Sequence, residues 1–359
     1  MMRKVFALWI LLLICGIETI DAQQRKLTAY AVGFYNQENL FDTCHDEGKR
    51  DYDFLPEGSY KWNGMKYSHK LRNMAQALAD MGTDIMPKSI GCAIIGLSEV
   101  ENAKALTDLI NQEPLKARGY QFCHVEGPDK RGVDCALLYN PTLFTPTDVH
   151  LYPYVQTLEK DSNYYTRGFL TVKGTMAGEE IAVIVCHWPS RFNGSFYREQ
   201  GGHQVRHLKD SLLAANPNLK IMVMGDMNDD PGNKSMTERL GCKSEMKQVT
   251  DEDMYNPWYN TLYKVGQGTL QYNGKWNLFD QIVLSGNMVG KDRSTLKYYQ
   301  HAIFMAPYLF QQEGKYKGNP LRTHAGGVWL NGYSDHLPTQ VYLIKEVKSS
   351  FFQTTALHF

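Results

Sequence analysis

Val223-Met224-Gly225-Asp226-Met227-Asn228-Asp229-Asp230-Pro231-Gly232 is the stretch on which the reading of this chain turns. The apolar run at 221–224 has the length and composition of a buried strand, and Pro231-Gly232 closes a turn after it. Between them a carboxylate and a carboxamide stand two residues apart at a strand terminus. Such a pair can grip one small object from two sides. The carboxylate takes a proton from water, while the amide orients that water or donates to an oxyanion. For an isolated Gly-Asp-x-Asn, an Asx-stabilised surface turn is the competing account. Further polar clusters at other strand ends separate the two.

Working outward, residues 27–35 alternate and are rich in β-formers, and Asn36-Gln37-Glu38-Asn39-Leu40-Phe41-Asp42 follows them. A second strand over 92–97 ends in Ser98-Glu99-Val100-Glu101-Asn102. Residues 43–66 read as a long loop. Leu71, Met74, Ala75, Leu78 and Ala79 keep helical spacing, as do Ala105, Leu106, Leu109 and Ile110. Residues 120–125 with 134–139, and 167–172 with 181–186, read as hairpins, the second ending at His187-Trp188-Pro189. A polar helix over 199–213 precedes the central stretch. Beyond it come an aromatic loop over 251–274, a strand over 279–284 carrying Asp280, and a second loop over 310–332. Tyr333-Ser334-Asp335-His336 then leads into the last strand, 340–343. No linker-like composition interrupts this order, which predicts one domain over 23–359. Strands outnumber helices and hairpins mix with crossovers, so the expected class is α/β, with two mixed β-sheets packed face to face and helices outside.

The 359 residues carry a formal net charge of zero, so no overall field draws the chain to nucleic acid or anionic lipid. Arg3 and Lys4 precede an apolar run over 5–17, and Ile20-Asp21-Ala22 precedes Gln23. That pattern predicts a secretory signal peptide over 1–22, cut after Ala22, and a secreted or periplasmic protein. The run falls short of the roughly 20 apolar residues a membrane span needs. A lipoprotein anchor at Cys15 is disfavoured because Ile14 is larger than the small residue such signals place there. No C-x-x-C pair is present, which argues against a zinc knuckle or redox motif. Cys123, Cys135 and Cys186 read as buried small hydrophobes.

Five strand ends thus carry polar clusters, around Asn36, Glu99, His187, Asp226 and Asp335. Taken in order with Asp280-Gln281-Ile282, these motifs resemble the endonuclease/exonuclease/phosphatase family from about residue 27 to about residue 343. The resemblance implies a four-layer α/β sandwich that cleaves phosphoester bonds with Mg²⁺ or Mn²⁺. It implies that Glu99 binds metal, that Asn36 helps place metal and phosphate, and that Asp335 lies near the metal, with Glu38 at the next acidic position. Asp226 and Asn228 would handle the attacking water and the phosphate. His336 would contact the phosphate with Asp280 fixing its tautomer, and His187 matches the second histidine of the deoxyribonuclease-like and sphingomyelinase-like branches. Arg167 resembles a phosphate-contacting arginine, with Arg131, Arg191 and Arg322 as alternatives. Asp134 has two readings: it orients His187, or it is a turn-side carboxylate. Glu101 competes with Glu99 but fits the strand pattern less well and is expected to be solvated.

The chemistry asks for these residue types. A divalent cation on oxygen ligands offsets the charge that builds on a phosphodiester under attack, and carboxylates with a carboxamide suit Mg²⁺. The expected function is an exported, divalent-metal-dependent phosphoesterase hydrolysing phosphodiester bonds, either a nuclease or a small phosphodiesterase. Its partner is a phosphodiester substrate, nucleic acid among the options, and no protein partner is inferred. A phosphomonoesterase or a sphingomyelinase-like lipid phosphodiesterase are alternatives within the family. Two rivals lie outside it: a zinc hydrolase using His203 and His207, and a non-catalytic module lined by Tyr255, Trp258, Tyr259, Tyr263, Tyr272 and Trp276. Substrate choice is expected to reside in the loops 43–66, 251–276 and 310–332.

Overall fold

A computed structural model describes residues 25–158 and 164–348. The signal-peptide reading, with Cys15 and the cut after Ala22, lies outside the described residues. In chain order the elements are β1 (Arg25–Leu40), α1 (Gly64–Asp80), β2 (Ile94–Val100), α2 (Ala103–Ile110), α3 (Glu113–Lys116), β3 (Gln121–His124), β4 (Asp134–Tyr139) and β5 (Phe144–Tyr152). Then follow β6 (Phe169–Met176), β7 (Glu179–His187), α4 (Ser195–Ala215), β8 (Lys220–Asp226), β9 (Cys242–Lys243) and β10 (Met254–Tyr255). The chain closes with β11 (Leu270–Tyr272), β12 (Lys275–Asn277), β13 (Asp280–Ser285), β14 (Lys297–Ile303), β15 (His324–Ala325), β16 (Val328–Trp329) and β17 (Thr339–Lys348).

Two sheets carry the fold. One has six strands in the order β14-β17-β1-β2-β4-β3, and the other seven in the order β5-β6-β7-β8-β13-β10-β9. Both are mixed: β1 runs parallel to β2 and β7 parallel to β8, with the neighbouring pairs antiparallel. Strands β7 and β8 are apolar at nearly every position because both of their faces are covered. Ile181, Val183, Val185, Met222 and Met224 face the other sheet and join the core that extends to α1 and α2. Ala182, Ile184, Cys186, Ile221 and Val223 face outward, against Val205 and Leu212 of α4. Helix, sheet, sheet and helix therefore stack as four layers, as the sequence predicts. The sheets approach closely at Gly96, where a Cβ would come within 2.6 Å of the Met224 sulfur. No helix among the described residues is long and apolar enough to cross a membrane.

Several local expectations change. β1 does not stop at Tyr35 but continues to Leu40 through a bulge between Asn36 and Leu40, so its polar cluster lies within the strand. The sequence pattern does not reveal β5 and β14, because both are edge strands with mostly half-buried or exposed side chains. Residues 251–274 are not an irregular loop, since they contain β10, helical turns at Trp258–Asn260 and Thr261–Val265, and β11. Tyr255 and Trp258 belong to the core, which removes two of the six rings from the proposed aromatic face. The six cysteines of the described residues are free, five buried and Cys44 exposed.

His301 on β14 joins the sheet edge to this segment. Its ring meets Trp258 edge to face at 4.7 Å, and its nitrogens contact the Thr261 and Tyr298 hydroxyls at 2.8 and 2.7 Å. Burial pushes its pKa down from 6.5 to about 4. The unfolded imidazole therefore takes up a proton before the folded one does, and the stabilisation present above pH 6.5 is lost as pH falls toward 4. The loss should be on the order of 2–3 kcal/mol. In urea titrations, stability should fall less steeply across this window in His301→Gln than in the wild type.

Candidate active site

The strand register assembles the site. His187 pairs with Asp226 at the end of β7 and β8, and Asp226 pairs with Asp280 at the start of β13. All three share the parity of Val185, Met224 and Ile282, so their side chains enter the space between the sheets at its polar end. From the facing sheet, Asn36 pairs with Ser98, one residue before Glu99. The Asn36 amide donates to Asp226 Oδ2 at 3.0 Å, joining the two sheets.

Asp280 Oδ2 lies 2.7 Å from His336 Nδ1, and His336 Nε2 is 3.9 Å from Asp226 and 4.0 Å from Asp335. On the other side of Asp226, His187 Nε2 is 3.7 Å from both Asp226 and Glu99. Glu99, Asp226, Asp280, His187, His336, Asn36 and Asp335 thus form one connected group. His203 and His207 lie apart from it, exposed on α4, with their Nε2 atoms 3.0 Å from each other.

Short local turns hold the strand ends. Asn36 Oδ1 accepts from the Glu38 N–H, Asp226 Oδ1 from the Asn228 N–H, and the Ser334 hydroxyl from the His336 N–H, each two residues on. Glu38, Asn39, Glu99 and Asn228 all have positive φ, between 45° and 60°. β2 also carries a bulge between Ser98 and Val100 in its ladder with β4. Left-handed non-glycine residues and bulges gathered at one rim re-aim side chains at a backbone cost of the kind found at functional sites.

The two imidazoles are in opposite electrostatic settings. Burial depresses His187 well below its ordinary pKa, and the Arg167 and Arg131 guanidiniums add to the effect. Burial also opposes the charged form of His336, but Asp280 and Asp226 outweigh it and hold this ring well above the usual range. Burial lifts the Asp226 carboxyl to about 7, with His336 pulling the other way. His187 is neutral and His336 an imidazolium, a division suited to separate hydrogen-bonding and proton-donating tasks.

Two expectations need correction, and one open choice is decided. Asp134 does not orient His187: its oxygens contact the Gly127 N–H at 3.0 Å and His124 at 3.4 Å, and His187 Nδ1 is buried without a hydrogen bond. The turn-side reading of Asp134 is the one that fits. Arg167 does not offer a free guanidinium to phosphate. It is buried, donating to Asp129 at 3.0 Å and to the Trp188 carbonyl at 3.1 Å, and it acts on His187 through its field. Glu101 is not solvated either. It is buried, accepts the Asp42 N–H at 2.6 Å and anchors the chain after β1.

Some supporting groups carry no mark in the sequence. Thr269 donates to Asp280 Oδ2, and the Ser334 hydroxyl donates to the Asn36 carbonyl at 2.8 Å. Only the Ser-x-His spacing could have flagged Ser334, and no local signal marks Thr269. Arg322 bridges Glu38 and Asp335 at 3.2 and 2.8 Å, and buried Lys70 donates to Thr323 behind them.

Two donor sets bear on a cation. Asp226, Asp280 and His336 bring ligand-type atoms within 4.8 Å of one another. Of these, His336 Nδ1 is taken by Asp280 at 2.7 Å, and Nε2 faces Asp226 and Asp335 at 3.9 and 4.0 Å. Glu99 Oε1 and Asp335 Oδ1 have no hydrogen-bond partner among the described residues, and each carboxylate's second oxygen is anchored, by the Asn39 N–H and by Arg322. These free hard oxygens beside Asn36 fit a Mg²⁺-type ion.

A family model for the endonuclease/exonuclease/phosphatase family matches residues 31–345. The chain belongs to that family. Its members include phosphatases and nucleases, so the membership makes this a phosphoesterase fold carrying a candidate divalent-metal site. No curated protein sequence matches the chain. Among solved structures, an endonuclease/exonuclease/phosphatase family protein from Bacteroides thetaiotaomicron is 16% identical with a TM-score of 0.55, covering 90% of this chain and 97% of that one. The mannosyl-6-phosphatase of Bacteroides thetaiotaomicron is 17% identical with a TM-score of 0.53, covering 88% and 99%. D. rerio TDP2 complexed with single-strand DNA product is 14% identical with a TM-score of 0.52, covering 88% and 99%. At these identities the likeness lies in the fold.

Removing the Asp280 charge should release His336. In Asp280→Asn the imidazole pKa should fall, because the adjacent opposite charge that favours its protonated form is gone. An NMR titration of the ring proton measures it, and an unshifted value would show that Asp280 does not set this proton.

Proposed function

We propose that this chain is an exported, Mg²⁺-dependent phosphodiesterase acting on a small phosphodiester. The arrangement supporting the reading is the line Glu99–His187–Asp226–His336–Asp280, with two grooves that share a wall of Leu270 and Tyr272 reaching its neighbours Asn228 and Asp335. One groove, about 340 Å³, reaches Asn228 and is lined by Phe192 and Phe279. The other, about 660 Å³, reaches Asp335. A diester has two substituents to seat beside one phosphorus atom, and a monoester has one.

Charge placement favours a small substrate over a long polynucleotide. Arg131 lies near Asp129 and Glu99, Arg191 near Asp229 and Asp230, and Arg322 between Glu38 and Asp335. Each arginine at the mouth faces carboxylates, which leaves little positive charge to displace counterions along a nucleic-acid backbone. Of the structural neighbours, one is complexed with single-strand DNA product and another is a mannosyl-6-phosphatase.

Chemically, Asp226, with its carboxyl lifted to about 7, accepts a proton from the attacking water. As the water oxygen bonds to phosphorus, the bond to the leaving oxygen breaks, and His336 Nε2 supplies that oxygen with a proton. The proton held by Asp226 can then pass back across the 3.9 Å separating the two groups. Neutral His187 donates to a phosphoryl oxygen, and so does Asn228 with the amide hydrogen not committed to Trp188. Glu99, Asn36 and Asp335 would hold the Mg²⁺ or Mn²⁺, which when bound offsets the charge developing on the phosphoryl oxygens.

Asp226→Ala and His336→Ala should each lower kcat on bis(p-nitrophenyl) phosphate by about 10²–10⁴-fold with the circular-dichroism spectrum unchanged. EDTA should abolish wild-type turnover and added Mg²⁺ restore it. A folded wild type inert toward every diester with Mg²⁺ or Mn²⁺ would overturn the assignment. For export, N-terminal sequencing of the protein recovered outside the cytoplasm should begin at Gln23.

A further inference from the structure

The groove beside Asp335 has a lining that the catalytic group does not use. It lies between the β11–β12 hairpin and the segment 311–326. Four carboxamides, Gln271, Asn273, Gln311 and Asn319, line it, and their side chains make no hydrogen bond among the described residues. Two tyrosine rings complete the wall, Tyr272 with 69% and Tyr316 with 51% of its surface exposed. The fixed charges are Asp335 and Arg322, already paired, and Lys315, whose ammonium lies 5.4 Å over the Tyr316 ring.

We infer that this groove is a subsite for a hydroxyl-rich group, a sugar or similar polyol, borne by the phosphodiester; the inference rests on the phosphodiesterase reading. A carboxamide offers two N–H donors and a carbonyl acceptor, and a hydroxyl both donates and accepts, so amides match vicinal hydroxyls pair by pair. Exposed tyrosine faces suit the C–H face of a pyranose, and their phenolic ends add further hydrogen bonds. A second phosphate would call for several converging cations, and an acyl chain for an apolar lining. The groove holds one cation without an acidic partner among the described residues, Lys315, and its walls carry the four carboxamides and two tyrosine rings. At about 660 Å³ it falls within the usual range for small-ligand pockets, roughly 300–1,000 Å³. Asp335 lines the groove and lies 4.0 Å from His336 Nε2, so a ligand seated there would approach the catalytic group on that side.

The test compares p-nitrophenyl phosphodiesters of a hexose, of thymidine and of methanol, which share one leaving group. The hexose ester should exceed the methyl ester in kcat/KM by about tenfold or more, the yield of two or three net hydrogen bonds. Gln311→Ala with Asn319→Ala should bring the hexose ester down to the methyl level, mainly through KM, and leave the methyl ester within about twofold of wild type. A hexose ester no better than the methyl ester, a preference for thymidine, or an equal loss on all three would overturn the sugar subsite while leaving the phosphodiesterase reading intact. If no ester turns over, it is the phosphodiesterase reading that fails. Saturation-transfer NMR with the free hexose phosphate then decides the groove by itself: signal in the wild type that disappears in the double variant supports it, and no signal overturns it.

Discussion

A carboxylate buried between two sheets must find donors, and at Asp226 the first comes from the opposite sheet. The Asn36 amide reaches it at 3.0 Å and the Asn228 N–H at 2.9 Å. Through the interior between the sheets the contacts are mostly those of Ile, Val, Met and Phe, which attract without direction, and at the far end Lys345 of β17 pairs with Glu179 of β7 at 2.8 Å. The amide–carboxylate bond is directional. It sets the end of the sandwich at which β1 and β8 must align, and with them Glu99, His187 and Asp280. Burial of Asp226 without these partners would cost far more than any single apolar contact returns.

From that point the electrostatics divide. His336 sits among Asp280, Asp226 and Asp335 and is held charged, whereas His187, two strands away, is held neutral by burial and by the Arg167 and Arg131 fields. Arg167 is in turn fixed by Asp129 and the Trp188 carbonyl. One sandwich rim thus keeps two imidazoles, on either side of Asp226, in different electrostatic settings by burying one beside guanidiniums and surrounding the other with acids. The left-handed backbone at Glu38, Asn39, Glu99 and Asn228 is what lets strand ends turn their polar groups inward rather than toward solvent.

How much of this was legible in the amino acids depends on burial. β7 and β8 announce themselves because both faces are covered, and a strand covered on both faces must be apolar at every position. The clusters at Asn36, Glu99, His187, Asp226 and Asp335 were legible because each follows such a run, and their convergence was suggested by ordered family motifs. β5 and β14 were not, since an edge strand needs only one covered face and its residues look like loop. Asp134 was left between two readings, and Arg167 and Glu101 were misjudged, because a charged residue's partner is fixed by packing rather than by local spacing. Arg167 meets Asp129 and Glu101 meets Asp42, pairings that no local spacing encodes. Thr269 behind Asp280 was invisible on the same grounds.

The free cysteines carry a consequence for handling the molecule. Cys92, Cys123, Cys135, Cys186 and Cys242 lie in the apolar layers, and burial raises each thiol above its ordinary pKa. A thiol kept protonated and covered is a poor nucleophile. The packing of the described residues therefore uses no covalent cross-link, and it withstands reductants and mild oxidants alike. Cys44 is left as the accessible sulfur among them, a natural anchorage for a fluorescent or spin label on the long loop after β1.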